Sequence, residues 1–176
     1  MQEEWGALVL ILYHGSNVLI ENVELQKCRP YKDFGRGFYC TSIKSQAELM
    51  AKRVAEIYGG SPAVTQFELN DGIFIVDNIN VKKFAKATKE WALFVLNNRD
   101  KQFNQIESSC CNHDNKYDIV IGPIANDNLA LLFRTFSRGL IDLETLTRGL
   151  EYKKLNDQYS FHTEKALQYI KSFGGI

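Results

Sequence analysis

Two short segments in the first quarter of the chain combine glycine with residues that can bond or stack on a flat ligand. His14-Gly15-Ser16 ends an apolar run, and Gly37-Phe38-Tyr39 follows a basic loop. Glycine lets a ligand lie against backbone N–H and C=O groups, which can pair with a planar carboxamide. A histidine can bond a sugar hydroxyl, and a tyrosine ring can stack on a heterocycle, particularly a cationic one. Together the segments indicate a nucleotide pocket, although a turn and a core tyrosine would explain each of them alone.

Four further polar residues are candidates for the same site, and most have an ordinary structural explanation as well. Arg36 could lie near ligand phosphates, and Arg99 could bind a pyrophosphate or end a helix favourably. Asn126 and Asp127 follow an apolar strand, where capping of the next helix accounts for one of the two.

An alternating segment near the C-terminus carries the last candidates. Gln158, Ser160 and His162 are two residues apart, so their side chains are expected on one face of a strand. His162 would then be a second polar contact or a structural hydrogen-bonding group. Asp157 and Glu164 flank the segment and could supply a carboxylate, although Glu164 is also a routine helix-start residue.

These residues are positioned by an α+β fold, predicted as one domain spanning 1–176. A hairpin over 64–76 and the lack of a repeating strand–helix rhythm argue against a doubly wound parallel sheet. The predicted strands are 8–13, 37–41, 64–69, 72–76, 117–123 and 158–162. The predicted helices are 42–58, 81–98 in one or two pieces, 126–136, 142–150 and 164–173. The first helix is expected to be capped by Ser42 or Ser45 and to share one apolar face among Ala47, Met50, Ala51, Val54 and Ile57.

Composition excludes several classes of function. Lysine and arginine total 21, as do aspartate and glutamate, so no overall field attracts nucleic acid or an anionic membrane. The first residues are acidic and the apolar run 7–13 is too short to cross a bilayer, which predicts a cytoplasmic protein with no membrane partner. The four cysteines are expected to be free thiols, and their spacing predicts no metal site. Nucleotide-binding P-loop, zinc-protease and serine-hydrolase motifs are absent from the sequence.

The order of the motifs resembles a known superfamily. His14-Gly15, then Phe34-Gly35-Arg36-Gly37-Phe38-Tyr39-Cys40-Thr41, then an alanine-containing helix, is similar to the nicotinamide-binding half of the ADP-ribosyltransferase fold. The similarity is to its diphtheria-toxin and poly(ADP-ribose) polymerase branch. More closely, nearly the whole chain resembles the DUF3990 family, an uncharacterised bacterial family within that superfamily. The resemblance implies a split, mostly antiparallel sheet with flanking helices, and NAD as co-substrate.

The resemblance also implies roles for individual residues. His14 would contact a ribose hydroxyl, the Gly15 backbone would hold the carboxamide with Ser16 beside it, and Tyr39 would stack on the nicotinamide ring. Arg36, Asn126 and Asp127 would be additional NAD contacts, and Gln158 would complete the catalytic set with His14 and Tyr39.

Two positions depart from the polymerase-branch pattern. Met50 stands where a second tyrosine would close the ring sandwich, and a methionine can still pack against an aromatic edge. Gln158 stands where strong transferases carry glutamate, and its amide supplies no formal charge to an oxocarbenium-like transition state.

The implied function is a mono-ADP-ribosyltransferase that modifies a protein or nucleic-acid acceptor. Similar bacterial families add the expectation of a toxin-type effector restrained by a small antitoxin-like protein. The alternative is a catalytically weak or inactive nucleotide-binding or interaction module on the same fold, which Met50 and Gln158 favour.

Overall fold

The computed structural model describes residues 9–125, 127–151 and 157–175. Within these ranges the chain forms seven strands, five α-helices and two 3₁₀ helices. The strands are β1 (Val9–Ser16), β2 (Phe38–Thr41), β3 (Ala63–Asn70), β4 (Val81–Lys83), β5 (Ile119–Pro123), β6 (Asp157–Phe161) and β7 (Ile170–Gly175). The α-helices are α1 (Lys44–Tyr58), α2 (Lys89–Arg99), α3 (Asp127–Ser137), α4 (Leu143–Glu151) and α5 (Glu164–Leu167). The 3₁₀ helices are Leu25–Lys27 and Asp71–Phe74.

All seven strands belong to one sheet in the order β4-β5-β6-β2-β1-β3-β7. The β4–β5 pair is parallel and the other pairs are antiparallel, which confirms the predicted α+β class with a mostly antiparallel sheet. β1 pairs with β3 along its whole length, but β1 and β2 are paired only between Tyr13 and Thr41. The half formed by β4, β5, β6 and β2 is therefore joined narrowly to the half formed by β1, β3 and β7.

The two faces of the sheet bury separate cores. On one face, Leu12, Phe38, Phe67 and Phe161 belong to a core that loops and α5 cover, here called the loop-side core. On the other face, α2, α3 and α4 pack over a core that includes Phe34, Trp91, Phe94, Val120 and Leu129, here called the helix-side core. Because side chains alternate along a strand, β2 sends Phe38 and Cys40 to the loop-side core and Tyr39 to the helix-side core.

Helix α1 packs closely on β1 through small residues. Ala47 and Ala51 are buried, whereas Met50 is 47% and Ile57 60% exposed, so the predicted five-residue apolar face is wrong at these two positions. The predicted serine caps are also wrong, because the N-cap is Ile43, which has no side-chain oxygen to accept a bond. Its backbone N–H instead donates to Thr41 Oγ1 at 3.1 Å.

Three predicted elements differ from the structure because local turns or distant pairing decide them. The predicted strand 72–76 is a 3₁₀ helix, since the Asn70 side chain accepts a bond from Gly72 N and turns the chain. The predicted helix 81–98 begins as strand β4, which pairs with β5, and α2 starts only after its N-cap Thr88. The predicted helix 164–173 is short, because β7 pairs with β3 from Ile170 onward.

The cysteines and the helices agree with two expectations. All four cysteines are free thiols. Among the described residues, none of the helices is both long and apolar enough to span a membrane.

Asp118 ties together the segments around β5. Its Oδ1 accepts a bond from Thr163 Oγ1 at 2.6 Å, and its Oδ2 accepts from Asn80 N at 2.8 Å and lies 3.0 Å from Lys165 Nζ. Desolvation alone would raise the pKa of Asp118, but these hydrogen bonds outweigh it and hold the pKa below its ordinary value of 3.8. The ionised carboxylate therefore stabilises the folded state.

This contribution predicts a specific loss of stability in acid. Because the folded-state pKa is lowered, the stabilisation is present above the unfolded-state pKa, near 4, and is lost as the pH falls through the folded value. Asp118→Asn is expected to cost about 2 kcal/mol of unfolding free energy at pH 7. Urea denaturation from pH 7 to pH 3 should show the difference from the unsubstituted protein shrinking, with Asp77→Asn, at an exposed position, as control. A difference that does not change with pH would contradict this account.

Candidate functional site

Three neighbouring strands carry the three residues for which catalytic roles are predicted. Gln158 lies on β6, Tyr39 on β2 and His14 on β1, and these strands are adjacent in the sheet. The β2–β6 register sets Tyr39 opposite Ser160 and Thr41 opposite Gln158, so these four side chains share a face.

His14 joins the two halves of the sheet where the pairing between β1 and β2 ends. Its Nδ1 lies 2.7 Å from the carbonyl oxygen of Tyr39, and its ring stacks on Phe38 with centroids 4.4 Å apart. Burial, with a smaller effect of the Lys32 charge, lowers the pKa of His14, so the ring is neutral at pH 7. Since a carbonyl only accepts, Nδ1 carries the proton and Nε2 is a hydrogen-bond acceptor. No group of the described chain bonds to Nε2.

Tyr39 closes the loop that precedes its own strand. Its hydroxyl donates to Gly35 O at 2.8 Å and accepts from Phe34 N at 3.0 Å. Burial raises the pKa of Tyr39 well above its ordinary value, so the phenol stays protonated and can donate. The ring lies near Phe34, with centroids 6.4 Å apart, and Lys32 Nζ is 5.6 Å from its centroid. An internal cation thus already lies over the aromatic ring that was predicted to receive nicotinamide.

The rings of His14 and Tyr39 point to different faces of the sheet. His14 stacks on Phe38, which belongs to the loop-side core, whereas Tyr39 packs with the helix-side core. The structure therefore brings His14 to the Tyr39 backbone and not to the Tyr39 ring.

Gln158 lies in a polar network that the sequence did not predict. Its Nε2 donates to Asp33 Oδ2 at 3.1 Å, and the other oxygen of Asp33 accepts bonds from Arg99 Nε at 2.9 Å and Nη2 at 2.5 Å. The backbone N–H of Ala125 also donates to Asp33 Oδ2, at 3.2 Å. The Asp33 side chain is only 13% exposed. A carboxylate therefore lies beside Gln158, although neither Asp157 nor Glu164 provides it.

Asp33 escaped prediction because its partners are remote in sequence. It begins the glycine-rich segment that ends at Thr41, but Gln158 is 125 residues away and Arg99 is 66 residues away. The one usable signal was an acidic residue beside Phe34-Gly35 together with an arginine at a helix end. The predicted contact of Arg99 with a pyrophosphate is replaced here by its pair with Asp33.

Gly15 is explained by packing of α1. A Cβ added at Gly15 would lie 2.0 Å from Ala47 O and 2.8 Å from Ala51 N, so only glycine allows this approach. Ser16 Oγ lies 3.4 Å from Asn17 Oδ1. Met50 projects from α1 with about half of its surface exposed.

Arg36 lies apart from the three strand residues. Its Nη1 donates to Gln26 O at 3.3 Å, and it lines a cavity of about 420 Å³ with His162, Thr163 and Glu164. A second cavity, of about 370 Å³, lies beside β7. Neither cavity is lined by His14, Tyr39 or Gln158.

The two remaining candidates that precede α3 are only partly described. Asn126 lies outside the described residues, and Asp127 is described only as the first residue of α3.

His162 is held in a structural network. Its Nδ1 lies 2.8 Å from Arg36 O and its Nε2 lies 2.8 Å from Ser160 Oγ. Burial lowers the pKa of His162 to about 4, so the neutral ring donates from Nδ1 and accepts at Nε2. His162 is 2% exposed and Ser160 is fully buried, and Gly37 is needed because a Cβ there would lie 2.6 Å from the ring. Of the two interpretations left open by the sequence, the geometry favours the structural hydrogen bond.

Comparison with known proteins identifies a family but no characterised relative. No curated protein and no solved structure matches the chain. One family model does match, over residues 10–172, and its description is a protein of unknown function. Since this match covers almost the whole chain, including every strand that carries the candidate site, the protein belongs to the DUF3990 family.

Proposed function

We propose that this protein binds NAD at the junction of β1 and β2 and transfers a single ADP-ribose unit to a macromolecular acceptor. The observation that carries the proposal is the placement of Gln158, Tyr39 and His14 on three consecutive strands, next to the narrow pairing between Tyr13 and Thr41. This arrangement is what the resemblance to ADP-ribosyltransferases requires of a split sheet. The DUF3990 assignment itself carries no activity.

The proposed binding groups are two acceptors and one aromatic ring. His14 Nε2 and Gln158 Oε1 are hydrogen-bond acceptors without a bond in the described structure, and ribose hydroxyls are donors that could fill them. The Tyr39 ring would stack on nicotinamide after Lys32 moves off it. Because His14 and Tyr39 turn to opposite faces of the sheet, the His14 ring would also rotate away from Phe38 on binding.

In the proposed reaction, the bond between the anomeric carbon of ribose and the nicotinamide nitrogen breaks. Nicotinamide leaves with the bonding electron pair, and an acceptor nucleophile forms a new bond to the same carbon while its proton passes to solvent. Positive charge develops on the ribose, and Gln158 stabilises it with an amide dipole instead of a full charge. A slow transfer of one unit is therefore expected, without chain elongation.

Two features favour the alternative of a binding module without chemistry. Gln158 is an amide, and its neighbouring carboxylate Asp33 is paired with Arg99. Met50 is half exposed instead of closing a ring sandwich. In this alternative the protein binds the nucleotide but releases no nicotinamide. A toxin-type role restrained by a small partner protein belongs to the transferase proposal and rests on the resemblance alone.

Incubation with labelled NAD distinguishes the two functions. With bacterial lysate as the source of acceptors, the transferase proposal predicts label on protein or nucleic acid and stoichiometric release of nicotinamide. Tyr39→Leu should abolish both signals, and Gln105→Glu, at an exposed position, should leave them unchanged. NAD binding without label transfer or nicotinamide release would support the binding module, and no NAD binding would overturn both.

A further inference from the structure

The amide of Gln158 is held in one orientation by Asp33. An amide group has a donating end and an accepting end, and the two can be exchanged by rotation about the terminal bond. A carboxylate has no proton to donate, so the end of Gln158 that faces Asp33 Oδ2 at 3.1 Å must be Nε2. Oε1 is then the end that remains, and no group in the described part of the chain bonds to it.

The carboxylate of Asp33 is itself fixed on three sides. Arg99 donates twice to Oδ1, and Ala125 N donates to Oδ2 from the turn that follows β5. Arg99 also lies over the ring of Phe133, which places this pair at the edge of the helix-side core. The carboxylate that faces Gln158 therefore has little freedom to rotate.

We propose that Asp33 is a positioning residue that presents Gln158 Oε1 as a hydrogen-bond acceptor to the ligand. This inference deepens the proposed function and rests on it for the identity of the ligand. The group recognised would be a hydrogen-bond donor, such as a sugar hydroxyl. An oriented amide then provides the acceptor that a glutamate would provide, without a second negative charge next to Asp33.

The inference predicts that a glutamate at position 158 is harmful. Gln158→Glu replaces the donor Nε2 by a carboxylate oxygen that faces Asp33 Oδ2 at about the same separation. Two carboxylates so close repel each other, and at 8% exposure of the residue solvent screens them little. We therefore expect this variant to unfold at a lower urea concentration than the unsubstituted protein, although it restores the residue of active transferases.

Asp33→Asn is expected to reverse the amide of Gln158. The asparagine oxygen would stay with Arg99, so its NH₂ group would face position 158 and require an acceptor there. Gln158 would then turn Oε1 inward and present Nε2, a donor, to the ligand. A ribose hydroxyl can still reach a donor, but the contact selected by the native orientation is lost, and NAD affinity should fall by about tenfold.

The double variant D33N/Q158E separates orientation from simple damage. Its carboxylate at position 158 can accept from the new asparagine amide and still present an oxygen to the ligand. Urea denaturation of the two single variants and the double variant forms a double-mutant cycle, and NAD affinity is measured by calorimetry on the same four proteins. Asp77→Asn and Gln105→Glu, both exposed, are matched controls for the two substitutions.

The expected result is that the double variant is more stable than Q158E and recovers most of the NAD affinity lost in D33N. Additive losses of stability would overturn the positioning role, because the side chains at 33 and 158 would then not depend on each other. Coupled stabilities with equal NAD affinity in all variants would also overturn it, since the orientation would not matter to the ligand. If the unsubstituted protein binds no NAD, the proposed function fails and a ligand-directed role for Asp33 fails with it, whereas the urea cycle still decides whether Asp33 orients Gln158.

Discussion

Gly15→Ala is expected to destabilise the protein by about 3 kcal/mol, the upper range for forcing an extra methyl group into a packed core. The new Cβ would lie 2.0 Å from Ala47 O and 2.8 Å from Ala51 N. Both atoms belong to the backbone of α1, so no side chain can turn aside and the helix must move away from β1. The measurement is the unfolding free energy from urea denaturation.

Gly139→Ala is the matched control for this prediction. Gly139 has φ of 71° and a Cβ there would meet nothing within 4 Å, so its substitution costs only the left-handed backbone penalty of about 1 kcal/mol. If Gly15→Ala were no more harmful than this control, the close approach of α1 to β1 would be wrong. A loss of NAD binding in Gly15→Ala would not identify a backbone contact with the ligand, because the packing of α1 would have changed as well.

The second prediction separates the two functions of Tyr39. Tyr39→Phe keeps the ring but leaves Phe34 N and Gly35 O without the hydroxyl, which is expected to cost about 2 kcal/mol of unfolding free energy. NAD affinity should stay within about threefold, since the ring face is intact. Tyr39→Leu keeps apolar volume but removes the π face, and NAD affinity should fall by about tenfold or more.

Calorimetric titration of both variants with NAD, with circular dichroism to show that each is folded, tests this contrast. Unchanged affinity in Tyr39→Leu would remove the ring from the site. A large loss of affinity in Tyr39→Phe, at unchanged stability, would assign the hydroxyl to the ligand and not to the loop, contrary to its bonds with Phe34 and Gly35.

The fold class was predictable because most strands announce themselves locally. The apolar run that becomes β1 and the alternation in β3 and β6 needed no distant information. Strands β4 and β7 were missed for a physical reason. β4 has three residues and exists through its parallel pairing with β5, and β7 exists because β3 offers it an open edge. Pairing between remote segments overrides local propensity at these two places.

The candidate site was predictable only in part. His14, Tyr39 and Gln158 do lie on adjacent strands, but the sequence could not show that His14 turns toward Phe38 or that Tyr39 bonds its own loop. Asp33 was overlooked because an ion pair with Arg99 leaves no periodic signature. Gly15 looked like a ligand-facing glycine, and a close helix contact produces the same residue choice.

A crystal structure of the protein in complex with NAD tests the central claim most directly. The account predicts the nicotinamide ring against Tyr39, with Lys32 displaced, and a ribose hydroxyl within hydrogen-bonding distance of Gln158 Oε1 or His14 Nε2. NAD bound instead in the cavity beside Arg36 and His162, or no bound NAD at saturating concentration, would contradict it.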